Sequence, residues 1–543
     1  TIQAASLIAR ANAEHLRAVR FAAERGMILD ANGNILAVSV TRDLVIADPD
    51  VIRQSGALDT DAQTLGQALG LPPGLARSQL DIPGAYVTLT DPTGTPLLLN
   101  DQQRAAVNAA LAHGALVGVA LYPQVIREYP DGGLAAQVLG FVRASDGIGQ
   151  YGVELAKDAL LAGQPGLLYT AVDANGNPLA TGPQRLTPAI AGANITLTLD
   201  ANIQYWAEQG LAQTIAATQA DGGTVIALDP RTGAILAMAS EPSFNPNAYG
   251  QASLADLTNP AVSAIYDPGS VMKAVTMAAG IQTGVITPQS SLDDPGYTVV
   301  DGIPIYNFDR QGHGWENMTQ VLQYSSNVGA IWVGQRVGQA RFDSTLAAFG
   351  FGAPTGVDLP DESAGLLAQP TTPGAGALTL AENSFGESIG VTPLQMAMAY
   401  AALANGGVLM RPYVVASATL NGGLGRTITY GPQAIRRVVS AATAQTVTQM
   451  LVTSALVSEA QMNLVSGYSV AAKTGTSTPD PSHPDVTYAS VLGYAPASDP
   501  RVVLLVKLDH PRTQIYGGAA AGPLWRTLIA QILRYYRVPP DLG

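Results

Sequence analysis

The chain has 543 residues, too many for one ordinary hydrophobic core, so at least two domains are expected. Its 28 basic residues are outnumbered by 41 acidic ones, which gives a net charge of −13, and no nucleic-acid partner is expected for such a surface. The chain has no cysteine, which excludes thiol nucleophiles, disulfides and cysteine-based zinc sites. The five histidines are scattered without metal-ligand spacing, so we expect neither a metal nor another cofactor.

The first part of the chain predicts a helix followed by a hairpin. Residues 1–26 favour a helix, because arginines interrupt a run of alanine and other apolar residues up to Gly26. Two β-like runs flank Asn32-Gly33, a dipeptide typical of tight hairpin turns. Residues 48 to about 118 are rich in alanine and leucine, and we expect them to form a mainly helical insertion.

A stretch rich in proline and glycine at 173–193 indicates a domain boundary. We therefore expect an N-terminal α+β domain at 1–195 and a second domain at 196–543. The second domain has the pattern of an α/β fold, with an antiparallel sheet flanked by helices. Its predicted elements are strands at 195–199, 224–228, 234–239, 469–473, 488–494 and 502–508, a helix at 201–218 capped by Asp200, and a helix at 522–536.

The sharpest chemical motif lies at 266–273. Pro268-Gly269 breaks the preceding structure, and Ser270 begins an apolar helical run. The free N–H groups at a helix start favour negative charge on the Ser270 oxygen. Lys273 follows on the same helix face, and a desolvated, neutral lysine can take a serine proton. Only four of the 28 basic residues are lysine, which favours this role over that of an ordinary surface charge.

A second motif is Ser325-Ser326-Asn327, which comes just before an apolar run. It fits a helix N-cap, because serine and asparagine are preferred there. It also fits a catalytic role, in which the Ser325 hydroxyl transfers a proton and the Asn327 amide holds a substrate peptide group. Taken alone, the motif favours the cap.

The third motif is Lys473-Thr474-Gly475-Thr476, which we place at the end of an apolar strand. The hydroxyls of Thr474 and Thr476 suit a substrate carboxylate, and Gly475 leaves room for a substrate backbone. Lys473 adds positive charge, which attracts the carboxylate and lowers the proton affinity of a nearby base. A basic residue that closes an edge strand is the alternative interpretation.

In this order the three motifs resemble the signature of penicillin-binding proteins and serine β-lactamases. Most of the remaining chain is similar to class B (monofunctional) penicillin-binding proteins. The similar segments are 25–30, 32–33, 36–37, 127–130, Gly140, 152–154, 199–200, 203–204, 229–233, 356–360, 391–395 and 516–518. Residues 386–390 depart from the family pattern, since they are Gly-Glu-Ser-Ile-Gly where Gly-Gln-Gly-Ile and a small residue are expected.

The resemblance implies a penicillin-binding domain on an N-terminal pedestal, with D,D-transpeptidase activity in peptidoglycan synthesis. Ser270 would be the nucleophile, acylated by D-Ala-D-Ala stem peptides or by β-lactams, and Lys273 the base. Ser325 and Lys473 would relay or tune the proton, and the N–H groups of Ser270 and Thr476 would form the oxyanion hole. The resemblance also implies a membrane glycosyltransferase partner and a place on the outer face of the cell membrane, with an N-terminal transmembrane helix that this chain lacks.

Three alternatives stay open. Residues 386–390 also fit a Gly-x-Ser-x-Gly nucleophile elbow, with His483 or His510 as the base. A hydrolytic β-lactamase shares all three motifs but needs a base for the deacylating water, which we cannot assign. A non-catalytic scaffold for division or elongation proteins would carry a vestigial site. The segment 305–325 is closer to division-type members, which favours a role at the septum.

Overall fold

The computed structural model describes residues 16–21, 23–72, 74–171, 184–367, 376–457, 465–478 and 482–542. Its contacts divide the chain into two units. One consists of the residues up to 36 and from 129 onward, and the other of Ala37–Glu128. Among the described residues, no helix has both the length and the apolar character needed to cross a membrane.

The larger unit is built around a five-stranded antiparallel sheet. Neighbouring strands all pair antiparallel, as the sequence pattern predicts, and every residue of the strand at 222–228 is buried, so both faces of the sheet are covered. In spatial order the strands are Ile235–Glu241, Gly222–Leu228, Val502–Asp509, Tyr488–Ala495 and Ala471–Ser477.

Helices cover the two faces of this sheet. Ala201–Thr218 and Gly522–Tyr535 pack on one face, where apolar residues of both helices share a core with alternate strand residues. Pro393–Ala404 packs on the other face and is almost fully buried. From residue 200 onward, the remaining helices of the larger unit are Leu254–Leu257, Pro260–Ser263, Lys273–Gln282, Met318–Gln323, Asn327–Val337, Gln339–Phe349, Ala377–Phe385, Ala441–Val457 and Gly517–Ala520. There are 3₁₀ turns at Pro246–Gln251, Gly269–Met272 and Asn421–Gly423.

Local sequence signals place the helix Ala201–Thr218 where the sequence predicts it. The Asp200 side chain accepts hydrogen bonds from the backbone N–H groups of Asn202 and Ile203, which makes it the N-cap of Ala201–Thr218. Smaller strand pairs lie outside the central sheet. They are Ser291–Asp294 with Gly314–Asn317, Tyr297–Val300 with Ile303–Tyr306, Val408–Met410 with Ala434–Arg437, and Val415–Thr419 with both Asn194–Leu197 and Thr427–Thr429.

The segment at 129–171 joins the start of the chain through a buried ion cluster. The Arg25 guanidinium bonds both Glu154 and Asp158 at 2.8 Å, and the Tyr129 hydroxyl lies 3.3 Å from Glu154. Three of the segments that resemble the family's first domain therefore meet at one point. The elements here are strands Phe141–Val142 and Gly149–Gln150 and helices Ala136–Leu139, Gly152–Ala156 and Asp158–Leu161.

The helix predicted for residues 1–26 is wrong in the part that the structure describes. Leu16–Phe21 is a strand, paired antiparallel with Gly166–Ala171, which in turn pairs with Gln184–Thr187. Helix propensity is a weak preference, and pairing with a strand far along the chain overrides it here. Residues 1–15 and 22 lie outside the described residues.

The smaller unit, Ala37–Glu128, has its own hydrophobic core of residues such as Leu65, Leu80 and Leu99. The hairpin turn at Asn32-Gly33 is confirmed, since it joins Ile28–Leu29 to the strand that leads into this unit. The elements of the unit are strands Ile35–Ala47, Val87–Thr88 and Val119–Glu128 and helices Pro49–Ser55, Leu58–Leu69, Leu75–Leu80 and Asp101–Ala112.

Candidate active site

Ser270 lies at the start of a buried helix. The 3₁₀ turn Gly269–Met272 runs directly into Lys273–Gln282, whose first eight residues are all buried. Ser270 is itself half-buried, so its hydroxyl is placed where a ligand can reach it. The break at Pro268-Gly269 and the helical spacing of Ser270 and Lys273 are as the sequence predicts.

The Lys273 amine lies at the centre of a polar cluster. Its Nζ is 2.9 Å from Ser270 Oγ, 2.7 Å from Asn327 Oδ1, 2.5 Å from the Ser325 carbonyl oxygen and 3.3 Å from Ser325 Oγ. Burial, reinforced by the positive charge of Lys473, holds the pKa of Lys273 well below its usual value of 10.5. A neutral amine in contact with Ser270 can accept the hydroxyl proton.

The structure separates the helix cap and the contacts with Lys273 onto neighbouring residues of Ser325-Ser326-Asn327. Ser326 is the N-cap of Asn327–Val337, and its Oγ accepts a hydrogen bond from the Gly329 N–H at 2.9 Å. Ser325 has a φ of 55°, and it faces Lys273 instead of capping the helix. The cap therefore fixes the turn that presents Ser325 and Asn327 to the cluster.

Lys473 approaches the cluster from the sheet. Its Nζ donates to Ser325 Oγ at 3.0 Å and to the Thr474 carbonyl oxygen at 3.2 Å, and burial lowers its pKa to about 8. The motif lies inside the strand Ala471–Ser477 and not at its end, so that part of the sequence interpretation is wrong. Pairing with Tyr488–Ala495 continues past the motif, because the sheet, and not the short apolar run, decides where the strand ends.

The same strand is at the edge of the central sheet and brings the threonines to the site. Both Thr474 and Thr476 are half-buried. The Thr476 Oγ1 accepts a hydrogen bond from the Gly517 N–H at 3.1 Å, which leaves its own proton for another acceptor. An edge strand can pair with an extended peptide, so this edge suits a peptide ligand.

Glycines hold the Ser270 turn against its neighbours. A Cβ on Gly475 would lie 2.9 Å from the Pro268 carbonyl oxygen, and one on Gly269 would lie 2.6 Å from the Thr476 carbonyl oxygen. Gly386 is closer still, since a Cβ there would lie 2.1 Å from the Gly269 carbonyl oxygen. Gly475 thus leaves room for the nucleophile turn itself.

Gly386→Ala is expected to destabilise the protein. An alanine at this position would have to adopt a φ of 93° and would contact Gly269, and together these effects should lower the free energy of unfolding by about 2–5 kcal/mol. Gly406→Ala is the matched control, because Gly406 also has a positive φ but has no atom near the added Cβ, so only about 1–2 kcal/mol is expected. Chemical denaturation of both variants checks this, and equal losses would contradict the close contact.

The structure adds two positioning residues that the motifs do not reveal. Asn307 Oδ1 accepts hydrogen bonds from the N–H groups of Asn327 and Val328, and Asn307 Nδ2 donates to Asp294 at 2.7 Å. Asp294 also accepts from Ser326 Oγ at 3.0 Å. The segment around Asn307 was notable only for its resemblance to division-type proteins, and nothing in the sequence near Asp294 indicates this contact.

The nucleophile-elbow alternative fails on geometry. Gly386–Gly390 follows a helix, Ala377–Phe385, where an elbow needs a buried strand. Ser388 is exposed and donates to Glu382 at 2.8 Å, and one proposed base, His510, lies 3.1 Å from Asp221. The unexpected Glu387 is largely buried, and burial raises its pKa to about 8.

Comparison with known proteins places the chain in a family. Residues 223–530 match the penicillin-binding protein transpeptidase domain, and residues 20–197 match the penicillin-binding protein dimerisation domain. The penicillin-binding protein PbpB of Mycobacterium tuberculosis is 33% identical over 96% of this chain and 79% of its own length. The peptidoglycan D,D-transpeptidase FtsI of Escherichia coli is 30% identical over 98% of this chain and 87% of its own length.

A solved structure shares the architecture. Penicillin-binding protein 3 of Mycobacterium tuberculosis in complex with aztreonam has a TM-score of 0.72 at 29% identity, over 97% of this chain and 98% of that one. The fold class inferred from sequence is therefore confirmed. The transpeptidase match covers more than half of the chain and contains the Ser270, Ser325 and Lys473 motifs. The chain belongs to the class B (monofunctional) penicillin-binding proteins.

Proposed function

We propose that this protein is a serine D,D-transpeptidase that cross-links peptidoglycan during cell division. The observation that carries the proposal is the position of Lys273 Nζ, 2.9 Å from Ser270 Oγ and within hydrogen-bond reach of Ser325, which also contacts Lys473. The FtsI relative is named a peptidoglycan D,D-transpeptidase, and the related M. tuberculosis structure holds a β-lactam. Both support stem peptides and β-lactams as ligands.

Acylation uses the contacts of this cluster. Ser270 Oγ attacks the carbonyl carbon of the D-Ala-D-Ala peptide bond, while Lys273 takes the Ser270 proton. The N–H groups of Ser270 and Thr476 stabilise the oxyanion. Ser325 Oγ, between Lys273 and Lys473, passes a proton to the departing D-Ala nitrogen.

Deacylation completes the transfer. The amine of a neighbouring stem peptide attacks the Ser270 ester, loses a proton to the cluster and forms the cross-link, and Ser270 regains its hydrogen. Before acylation, Lys473 and the hydroxyls of Thr474 and Thr476 hold the substrate carboxylate, and the free edge of the strand Ala471–Ser477 receives the peptide backbone. Asn327 holds a substrate amide.

The acylation rate is expected to depend on pH as a bell. It rises with pH through the lowered pKa of Lys273, because only the neutral amine accepts a proton, and it falls above about pH 8 as Lys473 loses its charge. The Lys473→Met variant should be acylated more slowly, and its acylation rate should not fall near pH 8. The rise of the rate should move to higher pH, because removal of a like charge beside Lys273 raises the pKa of Lys273. Acylation rates across pH check this, and a flat profile would contradict it.

The β-lactamase alternative needs a base that activates water. Glu387 is an acid near Lys273, and its pKa of about 8 keeps it mostly protonated at neutral pH, so it is a poor base. We therefore expect a stable penicilloyl enzyme. Rapid release of hydrolysed penicillin would favour the lactamase, and no acylation at all would favour the scaffold.

We also propose a setting for the reaction. The ranges that match the two family models support a pedestal at 1–195 and a transpeptidase domain at 196–543. The four helices between Pro49 and Ala112 support a helical insertion in the pedestal at about 48–118. The protein would act on the outer face of the cell membrane, held by an N-terminal anchor, with a glycan-polymerising glycosyltransferase as its partner. Family membership supports this arrangement.

Peptide exchange tests the proposed activity. The full chain is incubated with a stem pentapeptide that ends in D-Ala-D-Ala and with a labelled D-amino acid as acceptor. We expect release of D-Ala and incorporation of the label, both abolished by prior treatment with penicillin. D-Ala release without incorporation would overturn transpeptidation in favour of hydrolysis.

A further inference from the structure

Three residues with metal-binding side chains converge behind the Ser325–Asn327 turn. Asp294 and Glu316 lie on the paired strands Ser291–Asp294 and Gly314–Asn317, where both point inward, and His313 immediately precedes the second strand. One ligand atom from each residue lies within 4.8 Å of the other two. The sequence does not reveal the group, because His313 lies 19 positions after Asp294.

The second feature of the group is the burial of the Glu316 carboxylate. The residue is 1% exposed, and in the part of the chain that the structure describes neither of its carboxylate oxygens has a hydrogen-bond partner. A buried carboxylate without a partner is costly. A cation held among the three side chains would satisfy this carboxylate directly.

Surrounding contacts orient the possible ligands. His313 Nε2 lies 3.2 Å from Asp309 Oδ2, so Nδ1 is the nitrogen that faces Asp294 and Glu316. A metal-binding histidine commonly donates its other N–H to a carboxylate in this way. The Gly296 N–H also donates to Asp294 Oδ1 at 2.8 Å, which fixes that carboxylate.

We propose that Asp294, His313 and Glu316 bind one divalent transition-metal cation, and that Zn²⁺ fits them best. Ligands about 2.0–2.2 Å from a tetrahedral zinc lie about 3.3–3.6 Å apart. His313 Nδ1 is 2.9 Å from Asp294 Oδ2 and 3.9 Å from Glu316 Oε2, so small side-chain movements reach that geometry. An imidazole ligand favours zinc over magnesium or calcium. This site departs from the sequence-based expectation of no metal.

The cation acts on the fold of the site and not on the reaction. Asp294 bonds Ser326, the N-cap, and Asn307, which holds the N–H of Asn327. A metal on Asp294 would therefore stiffen the turn that presents Ser325 and Asn327 to Lys273. Metal binding can be measured without any catalysis, so its failure and failure of the proposed function are distinguishable.

The experiment uses the full chain without an affinity tag. The protein is treated with a chelator, dialysed and given Zn²⁺ or Co²⁺. We expect one Zn²⁺ per chain by elemental analysis, a rise in Tm of at least about 3 °C, and visible absorption bands with Co²⁺. Glu316→Gln and His313→Gln should each lose the bound metal and the Tm response. Asp293→Asn, an exposed carboxylate on the same strand, should keep both.

Two results would overturn the proposal. One is a chelated protein that takes up neither metal and shows no change in Tm. The other is metal uptake that Glu316→Gln and His313→Gln leave unchanged, which would place the ion elsewhere. If Glu316→Gln does not fold, His313→Gln alone still decides, because its imidazole is at the edge of the group and partly exposed.

Discussion

Ser270→Ala is expected to lower the rate of acylation by a fluorescent penicillin by a factor of about 10⁴ or more. The variant lacks the hydroxyl that lies 2.9 Å from the Lys273 amine at the start of the buried helix, so no ester can form at this position. The fold should persist, because Ser270 is half-buried and alanine is a good helix former. Labelling kinetics and a thermal melt on the same sample measure both expectations.

Ser388→Ala is the matched control for that variant. Ser388 is the serine of the Gly-x-Ser-x-Gly segment, it is exposed, and its hydroxyl bonds Glu382. Labelling should stay at the level of the parent protein. If Ser388→Ala lost the label and Ser270→Ala kept it, the nucleophile would have been assigned to the wrong serine.

Lys273→Met is expected to lower the acylation rate by a factor of about 10²–10⁴, the usual contribution of a general base. Methionine has a similar length and can fill this fully buried position, but it cannot accept a proton. It also leaves Asn327 Oδ1 and the Ser325 carbonyl oxygen without their donor, so some loss of stability is expected. The second-order rate constant with penicillin is the measurement.

Lys157→Met controls for the removal of a lysine as such. Lys157 lies in the first part of the chain, 5.4 Å from the ring of Tyr430, and has no part in the cluster. Its variant should acylate at the parent rate. A Lys273→Met variant that kept its fold and lost less than about tenfold in rate would exclude Lys273 as the base.

The sequence predicts best what depends on neighbouring residues. Asp200 and the helix after it follow from capping and periodicity, and the structure has them at the expected positions. The strand at Leu16–Phe21 could not be foreseen, because its partner lies some 150 residues further along the chain. The strand that contains Lys473 continues past its apolar run for a similar reason, since Tyr488–Ala495 pairs with it along its whole length.

In the candidate site, too, some residues can be recognised from the sequence and others only from the folded structure. The chemistry of Ser270 and Lys273 is visible in one helical turn, and lysine scarcity distinguishes both Lys273 and Lys473. The supports of the site are not visible, because Asn307 and Gly386 act through contacts with distant backbone. A glycine or an asparagine in a loop has many possible reasons to be there, and only the folded structure shows which one applies.

The most direct test of the central claim is to find where penicillin is attached. The full chain is treated with benzylpenicillin, its intact mass is measured, and a protease digest is mapped by mass spectrometry. The structure predicts one penicilloyl group per chain, on the peptide that contains Ser270, which persists after free penicillin is removed. An adduct on any other residue, or an unmodified mass under conditions in which the chain is folded, would contradict the account.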